Sequence, residues 1–367
     1  MKGIYSLQVF VLFIICLSCG TAKNTTSIDS LPATALQPFG RYRITANQDL
    51  ELISSAVHFS FSFKGRECRV YAFLNDSTAH NYLQYEMDGD YQKRIRLDGS
   101  DKQPIVLMAT SEGQHTVRVY KATEAHTGPV FIRKIEGKAL KVLPVPTAPL
   151  IEFIGNSITC AAAADASEVP CGQGVYHDQH NAYYSYATRV ARALGTNYIL
   201  SSVSGIGIYR NWNSDGPVMP QVYENTDFQL GSTDRWNFAT YTPAIVSIAL
   251  GTNDFSGGDG IRKRLPFDSA AFVSQYIPFV QLVKSKYPNA QLVLLSSPMV
   301  GAARGQLLQN CLRAVKEKTD ALYRKDKPVG LYFFKPMQAR GCGGHPSVED
   351  HAILAEELIP FFRKLLD

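Results

Sequence analysis

The sequence predicts two domains, an all-β sandwich of jelly-roll type followed by an α/β domain whose parallel sheet is covered by helices on both faces. Three observations predict it. From about Arg41 to Val142, apolar residues recur at every second position, the period of strands with one buried face. After Leu150, short continuous apolar runs alternate with amphipathic segments of helical length, the pattern of a parallel sheet buried on both sides. Between the two periods stands VLPVPTAP, in which Pro144, Pro146 and Pro149 make a stiff, helix-excluding connection. A chain of 367 residues is long enough for two such cores.

From the N-terminus, Lys2 and the apolar stretch VFVLFIICLSCG have the make-up of a signal peptide, too short to span a bilayer. CLSC, ending at Cys19, is similar to a bacterial lipobox, with Cys16 where leucine is usual; ordinary cleavage after GTA, near Ala22, is the alternative. Residues 1–19 are assigned on this basis to the signal peptide, and residues 20–38, rich in Thr, Ser and Ala, to a tether. Export is expected, either as an envelope lipoprotein held through a lipidated Cys19 or as a secreted protein.

Residues 39–143 form the expected sandwich. AVHFSFSFKG sets Val57, Phe59, Phe61 and Phe63 against His58, Ser60 and Ser62; ECRVYAFL and HTVRVYKAT alternate likewise, with MDGD and LDGSD as turns. Residues 144–149 are the linker, and residues 150–367 the α/β domain. Its strands are LIEFI, NYILSSVS, PAIVSIAL, AQLVLLSS and GLYFF. Its helices are NAYYSYATRVARALG, AAFVSQYIPFVQLVKSKYP, RGQLLQNCLRAVKEKTDALYRK and VEDHAILAEELIPFFRKLL.

Composition narrows the function. At 45% hydrophobic and 19% charged the chain is globular, and its net charge of +5 comes from scattered Lys and Arg, which argues against a nucleic-acid partner. Five cysteines follow Cys19, an odd number without metal-ligand spacing. Cys160 and Cys171 bracket a loop of small residues, and either pair in an oxidising compartment or remain buried thiols. The histidines lack HxxxH spacing and DGDYQ reads as a turn, so no metal and no cofactor is implied. A monomer is expected.

Ser157, Gly205 and Asn253 each fall just beyond a predicted strand end, on the rim where parallel sheets bind ligands. Acyl transfer needs a nucleophile, a base and donors for an oxyanion. Ser157 offers a hydroxyl and its own N–H, Gly205 an N–H that can be approached closely, and Asn253 an amide N–H. His345, held by Pro346 at the head of the last helix, is the candidate base. Each residue alone has an ordinary reading: a turn glycine, a capping serine, an asparagine fixing its own loop. Jointly they fit the geometry of nucleophilic catalysis. Trp212, a few residues after Gly205, is placed to border the acyl pocket or the group on the other side of the ester. Trp236 and the tyrosines of YYSY read as core.

GNSIT, VSGIGI, LGTND and GGHPS, in that order, resemble the first, second, third and fifth blocks of the SGNH (GDSL-like) hydrolases. The sandwich in front, GIGIYRNW followed by MPQVYENT, and HPSVEDHAILAEEL are similar to carbohydrate esterase family 2. That resemblance implies an acetyl esterase acting on polysaccharides such as xylan and mannan, with Ser157 and His345 catalytic and Ser157, Gly205 and Asn253 forming the oxyanion hole. One departure stands out. Where most SGNH enzymes carry an aspartate two residues before the histidine, this chain has Gly343. The resemblance then implies a Ser-His dyad whose histidine is held by a backbone carbonyl. Glu349 and Asp350 sit nearby, where acids at a helix start usually cap. Asn156 replaces the usual aspartate of the first block, and His351 reads as structural. A carbohydrate-binding protein without catalysis, and an esterase of another O-acylated glycan, are the competing functions.

Overall fold

The computed structural model describes residues 28–367 and, before them, only Gly3. The expected lipobox and residues 20–27 of the expected tether lie outside the described residues.

The first half is a sheet of nine antiparallel strands: β1 (Asp29–Pro32), β2 (Tyr42–Ile44), β3 (Leu50–Leu52), β4 (His58–Phe73), β5 (His80–Met87), β6 (Asp90–Asp98), β7 (Ile105–Met108), β8 (Gln114–Lys121) and β9 (Val130–Val142). Their order is β2-β3-β9-β4-β8-β5-β6, with β1 added to β9 and β7 to β4. The long β4 pairs with β8 over His58–Lys64 and with β7 over Glu67–Val70, with register breaks against β9 between. One sheet thus bends over its own core, and Val57, Phe59, Phe61 and Phe63 are buried in it. Burying each such phenylalanine contributes about 2 kcal/mol. MDGD makes the β5–β6 turn, with Asp88 and Gly89 both at positive φ. The expected tether requires a correction. Asp29–Pro32 pairs with β9, and Ala33 and Leu36 enter the core, so this part of residues 20–38 belongs to the sheet. Its few apolar letters are too short a run to show a period.

The second half is a parallel sheet of β10 (Leu150–Gly155), β11 (Asn197–Ser202), β12 (Ile245–Ile248), β13 (Gln291–Leu295) and β14 (Gly330–Tyr332), in the order β11-β10-β12-β13-β14. The helices are α1 (Ser157–Cys160), α2 (Tyr186–Leu194), α3 (Met219–Val222), α4 (Ser269–Lys286), α5 (Ala302–Leu322) and α6 (Val348–Leu366). They divide between the two faces. Ile151 and Phe153 of β10 pack with Tyr186 and Val190 of α2 and with Leu358 and Phe362 of α6. Ile154 packs with Met219 of α3, Phe279 of α4 and Leu312 of α5. Strand order reverses at β10, whose neighbours are β11 and β12, and Ser157 follows its carboxyl end. That is the switch point at which open α/β sheets bind ligands.

The two sheets share buried contacts. Arg41, just before β2 and fully buried, donates from Nη1 to the carbonyls of Tyr223 (2.7 Å) and Asn225 (2.8 Å) and lies 3.8 Å from Glu152 of β10. Arg94 of β6 donates to the carbonyls of Asp178 and His180. Ala182 N–H donates to the Ala122 carbonyl. Among the described residues no helix is long and apolar enough to cross a membrane.

Candidate active site

A cavity of about 740 Å³ opens at the carboxyl end of the parallel sheet. Ser157, Gly205, Asn253, His345 and Trp212 all line it, so the structure brings together every residue that the sequence reading selected.

Ser157 is the first residue of α1. Asn156 caps that turn, its Oδ1 accepting from Ile158 N–H at 3.1 Å, which is the loop hydrogen bond left by an uncharged residue there. At the first helical position the Ser157 N–H has no partner within the helix. Gly205 has φ +75°, a conformation a side chain would strain, and its carbonyl accepts from Trp212 N–H. Asn253 is 6% exposed and donates one Nδ2 hydrogen to the Ile206 carbonyl at 2.7 Å, leaving the other for the cavity. Trp212 is 47% exposed at the rim; Trp236, Tyr183 and Tyr186 are buried as core, while Tyr184 is only half-buried.

His345 Nε2 lies 3.4 Å from Tyr176 Oη, whose hydroxyl is also 3.2 Å from Ser204 Oγ. Among the described residues no hydrogen bond joins Ser157 to His345; catalytic contacts of this kind tighten when substrate is bound. Nδ1 is buried without a hydrogen-bond partner. Burial lowers the His345 pKa, as does His180, while the carbonyls of Cys342 and Gly343 and the carboxylate of Glu124 pull the other way. The carbonyls face the ring, but neither makes a bond of standard geometry to Nδ1. Glu349 and Asp350 are engaged elsewhere. Glu349 accepts from Ser347 Oγ; Asp350 accepts from the backbone N–H groups of Ser347 and Arg340 and from the Arg340 guanidinium, closing a capping box on α6. His351 is fully buried, its Nδ1 accepts from Tyr186 N–H, and burial pushes its pKa down to about 3.

Three groups around the site were not selected from sequence. Glu124, from the loop after β8, crosses from the antiparallel sheet. One of its oxygens accepts from Ser204 N–H at 2.5 Å and the other faces His180 Nε2 at 3.3 Å. His180 Nδ1 in turn accepts from Ala163 N–H, which fixes its Nε2 as the donor. Burial opposes the Glu124 charge, yet the hydrogen bonds from His180 and Ser204 hold its pKa down at about 2. Asp254, next to Asn253, accepts from the N–H groups of Ile208 and Tyr209 and so ties the LGTND loop to the GIGIY loop. Burial pushes its pKa up to about 6 against those donors. Tyr176 comes from a segment without periodicity. Asp254 alone carried a signal, its place inside LGTND.

The disulfide is Cys171–Cys342, which corrects the pairing offered for Cys160 and Cys171. Cys160 points inward from α1, 3.2 Å from Ser202 Oγ, and is a buried thiol. Among the described residues one cluster, His80, His177 and Asp178, is close enough to hold a metal ion. Its own contacts fill it: His80 Nε2 and Tyr82 Oη both bond Asp178 Oδ1, and the Arg96 guanidinium lies 3.7 Å from the same oxygen. None of the three lines the cavity.

A hydroxyl, an imidazole and three N–H donors on one cavity can carry acyl transfer. The comparisons point the same way. The chain matches the model of the carbohydrate esterase 2 N-terminal domain over residues 39–146 and that of the GDSL-like lipase/acylhydrolase family over residues 153–349. It is 25% identical over 357 residues to an acetylxylan esterase / glucomannan deacetylase of Cellvibrio japonicus, covering 94% of both chains. It is 29% identical over 327 residues to the cellulase/esterase CelE of Acetivibrio thermocellus, covering 87% of this chain and 38% of that longer protein. Among solved structures it is similar to a family two carbohydrate esterase from Clostridium thermocellum in complex with cellohexaose. There the identity is 27% and the TM-score 0.78, over 90% of this chain and 99% of that one.

Proposed function

Because the chain belongs to the GDSL-like lipase/acylhydrolase family and carries a carbohydrate esterase 2 N-terminal domain, we propose that it is an exported serine esterase removing O-acetyl groups from polysaccharides such as xylan or glucomannan. The observation that carries this reading is the convergence of Ser157, Gly205, Asn253 and His345 on one cavity.

In this mechanism His345 Nε2 takes the proton of Ser157 Oγ as the oxygen attacks the acetyl carbonyl. The N–H groups of Ser157 and Gly205 and the free Asn253 amide hydrogen bind the oxyanion. The imidazolium then gives its proton to the leaving sugar oxygen, which departs as a hydroxyl; water, deprotonated by the same ring, attacks the acetyl-enzyme, and the ring returns that proton to Ser157 Oγ as acetate leaves. A cavity of about 740 Å³ is far larger than an acetyl group and leaves room for sugar units, with Trp212 exposed at its edge. The signal-like N-terminus and the Cys171–Cys342 disulfide support an oxidising compartment.

The test is acetate release from acetylated xylan and acetylated glucomannan, wild type beside Asn253→Ala. Wild type should deacetylate at least one polymer. Asn253→Ala should lose about 10²- to 10³-fold in kcat with a smaller change in KM, because the donor serves the transition state. A variant that loses only substrate affinity would contradict the oxyanion role.

The pH profile gives a second check. His345 must be neutral to act as base, and burial lowers its pKa from the ordinary 6.5. As pH falls through that lowered value the ring is protonated and kcat/KM declines. The acid limb should therefore have its midpoint below 6.5, with a plateau at neutrality. A midpoint above 6.5 contradicts the assignment.

A further inference from the structure

We infer that the Cys171–Cys342 disulfide is the device that positions His345, in the place where a triad enzyme would use a carboxylate. The inference rests on the reading of His345 as the base. A histidine base needs its ring fixed, and the side-chain partner that usually fixes it is absent: His345 Nδ1 is buried and unpartnered. Orientation must then come from the backbone beneath the ring. That backbone is the turn Cys342–Gly344, with Gly343 at φ +58° and Gly344 at φ +75°. Two consecutive glycines in the left-handed region make a hinge that costs little to turn.

The turn is held at its two ends. Gly341 N–H donates to the His345 carbonyl and His345 N–H to the Cys342 carbonyl, so the loop closes on itself. Asp350 of α6 holds the flanking residues, Arg340 and Ser347, by their N–H groups. Within the turn itself Cys342 is the anchored residue: its N–H donates to the Ala163 carbonyl, and its sulfur is bonded to Cys171. Cys171 belongs to the segment that continues to Tyr176, whose hydroxyl faces His345 Nε2. The bond therefore joins the carbonyl beside one ring nitrogen to the chain that carries the hydroxyl beside the other. Both ends of the imidazole are indexed to one covalent link across 171 positions of sequence.

Gly343 itself supplies an independent probe. A Cβ built there would lie 3.8 Å from His345 Nδ1, near enough for an aspartate carboxylate to reach that nitrogen. Aspartate also tolerates the left-handed conformation better than most residues. If the disulfide does the work of the missing acid, restoring an acid should make the disulfide dispensable.

The experiment compares wild type, Cys171→Ser/Cys342→Ser, the same pair with Gly343→Asp, and Ser157→Ala on p-nitrophenyl acetate. Each is assayed below its unfolding transition, with circular dichroism as the check of fold. The double variant should lose about a hundredfold in kcat, the loss that follows a 1 Å misplacement, with KM nearly unchanged. Adding Gly343→Asp should recover most of kcat while leaving the lowered Tm where it is. A folded double variant within a few-fold of wild-type kcat overturns the proposal, as does a loss that Gly343→Asp does not recover. Should the double variant fail to fold, native wild type and Gly343→Asp are reduced with dithiothreitol, which can reach the exposed Cys171. Activity should fall in the first and persist in the second; equal responses overturn the proposal. Failure of the esterase reading would look different, with wild type no faster than Ser157→Ala.

Discussion

Ser157→Ala is expected to abolish ester hydrolysis, with kcat falling about a millionfold, while Tm stays nearly unchanged. The two halves of this expectation have separate causes. Removing the nucleophile of a Ser-His hydrolase costs as much as removing the whole catalytic group, because the remaining members have nothing to activate. What is left is the modest rate that the oxyanion donors provide to attack by water. The small effect on stability follows from position. The hydroxyl opens onto the cavity, α1 is capped by Asn156 rather than Ser157, and no packed methyl is lost. The measurement is turnover on p-nitrophenyl acetate and on acetylated xylan, with a thermal melt of both proteins. Wild-type turnover in the variant removes Ser157 from the mechanism. Low turnover with a much lower Tm would instead mean that the residue is structural.

The parts of this architecture that depend on local period were readable from the chain. Alternation at Val57, Phe59, Phe61 and Phe63 is a statement about one strand and one buried face, and it needs no knowledge of the partner. The same holds for the short apolar runs of the parallel sheet, buried on both faces by helices whose own stripes are local. The candidate site was readable for a related reason. Ser157, Gly205 and Asn253 follow strand ends, and a parallel sheet brings its carboxyl ends to one rim whatever the loops between them do.

What could not be read depends on who meets whom. Glu124 sits in KATEAH at the end of an alternating strand and looks like any solvated acid. Only the docking of the two sheets sets it against Ser204 and His180. Glu152 breaks a buried apolar run, and its partners, Arg41, Ser201 and Tyr223, come from both halves of the chain. The disulfide links positions 171 residues apart, so proximity in sequence favoured the wrong cysteine as the partner of Cys171. Asp29–Pro32 becomes a strand because β9 has a free edge to receive it, a fact about β9 rather than about DSLP.

His345→Ala should collapse turnover as completely as the serine variant, whereas Glu349→Ala and Asp350→Asn should each remain within a few-fold of wild type. The contrast decides between a dyad and a triad completed by a displaced acid. In a triad, replacing the orienting carboxylate by its amide costs about 10⁴-fold in kcat, because the imidazole is then held in the wrong tautomer. Neither acid is free to take that role here. Asp350 gives one oxygen to the N–H groups of Arg340 and Ser347 and the other to the Arg340 guanidinium; Glu349 bonds the Ser347 hydroxyl. Both belong to the start of α6, where their charge favours the helix N-terminus. Asparagine at 350 keeps an acceptor for the N–H groups of Arg340 and Ser347 and so tests charge without freeing the loop. Loss of the capping interaction should appear in Tm, by an amount corresponding to about 1 kcal/mol. Turnover for all three variants on an acetylated sugar at neutral pH checks the expectation. A collapse near 10⁴-fold in either acidic variant, with its fold intact, would show that a carboxylate completes the site and that the dyad assignment is wrong.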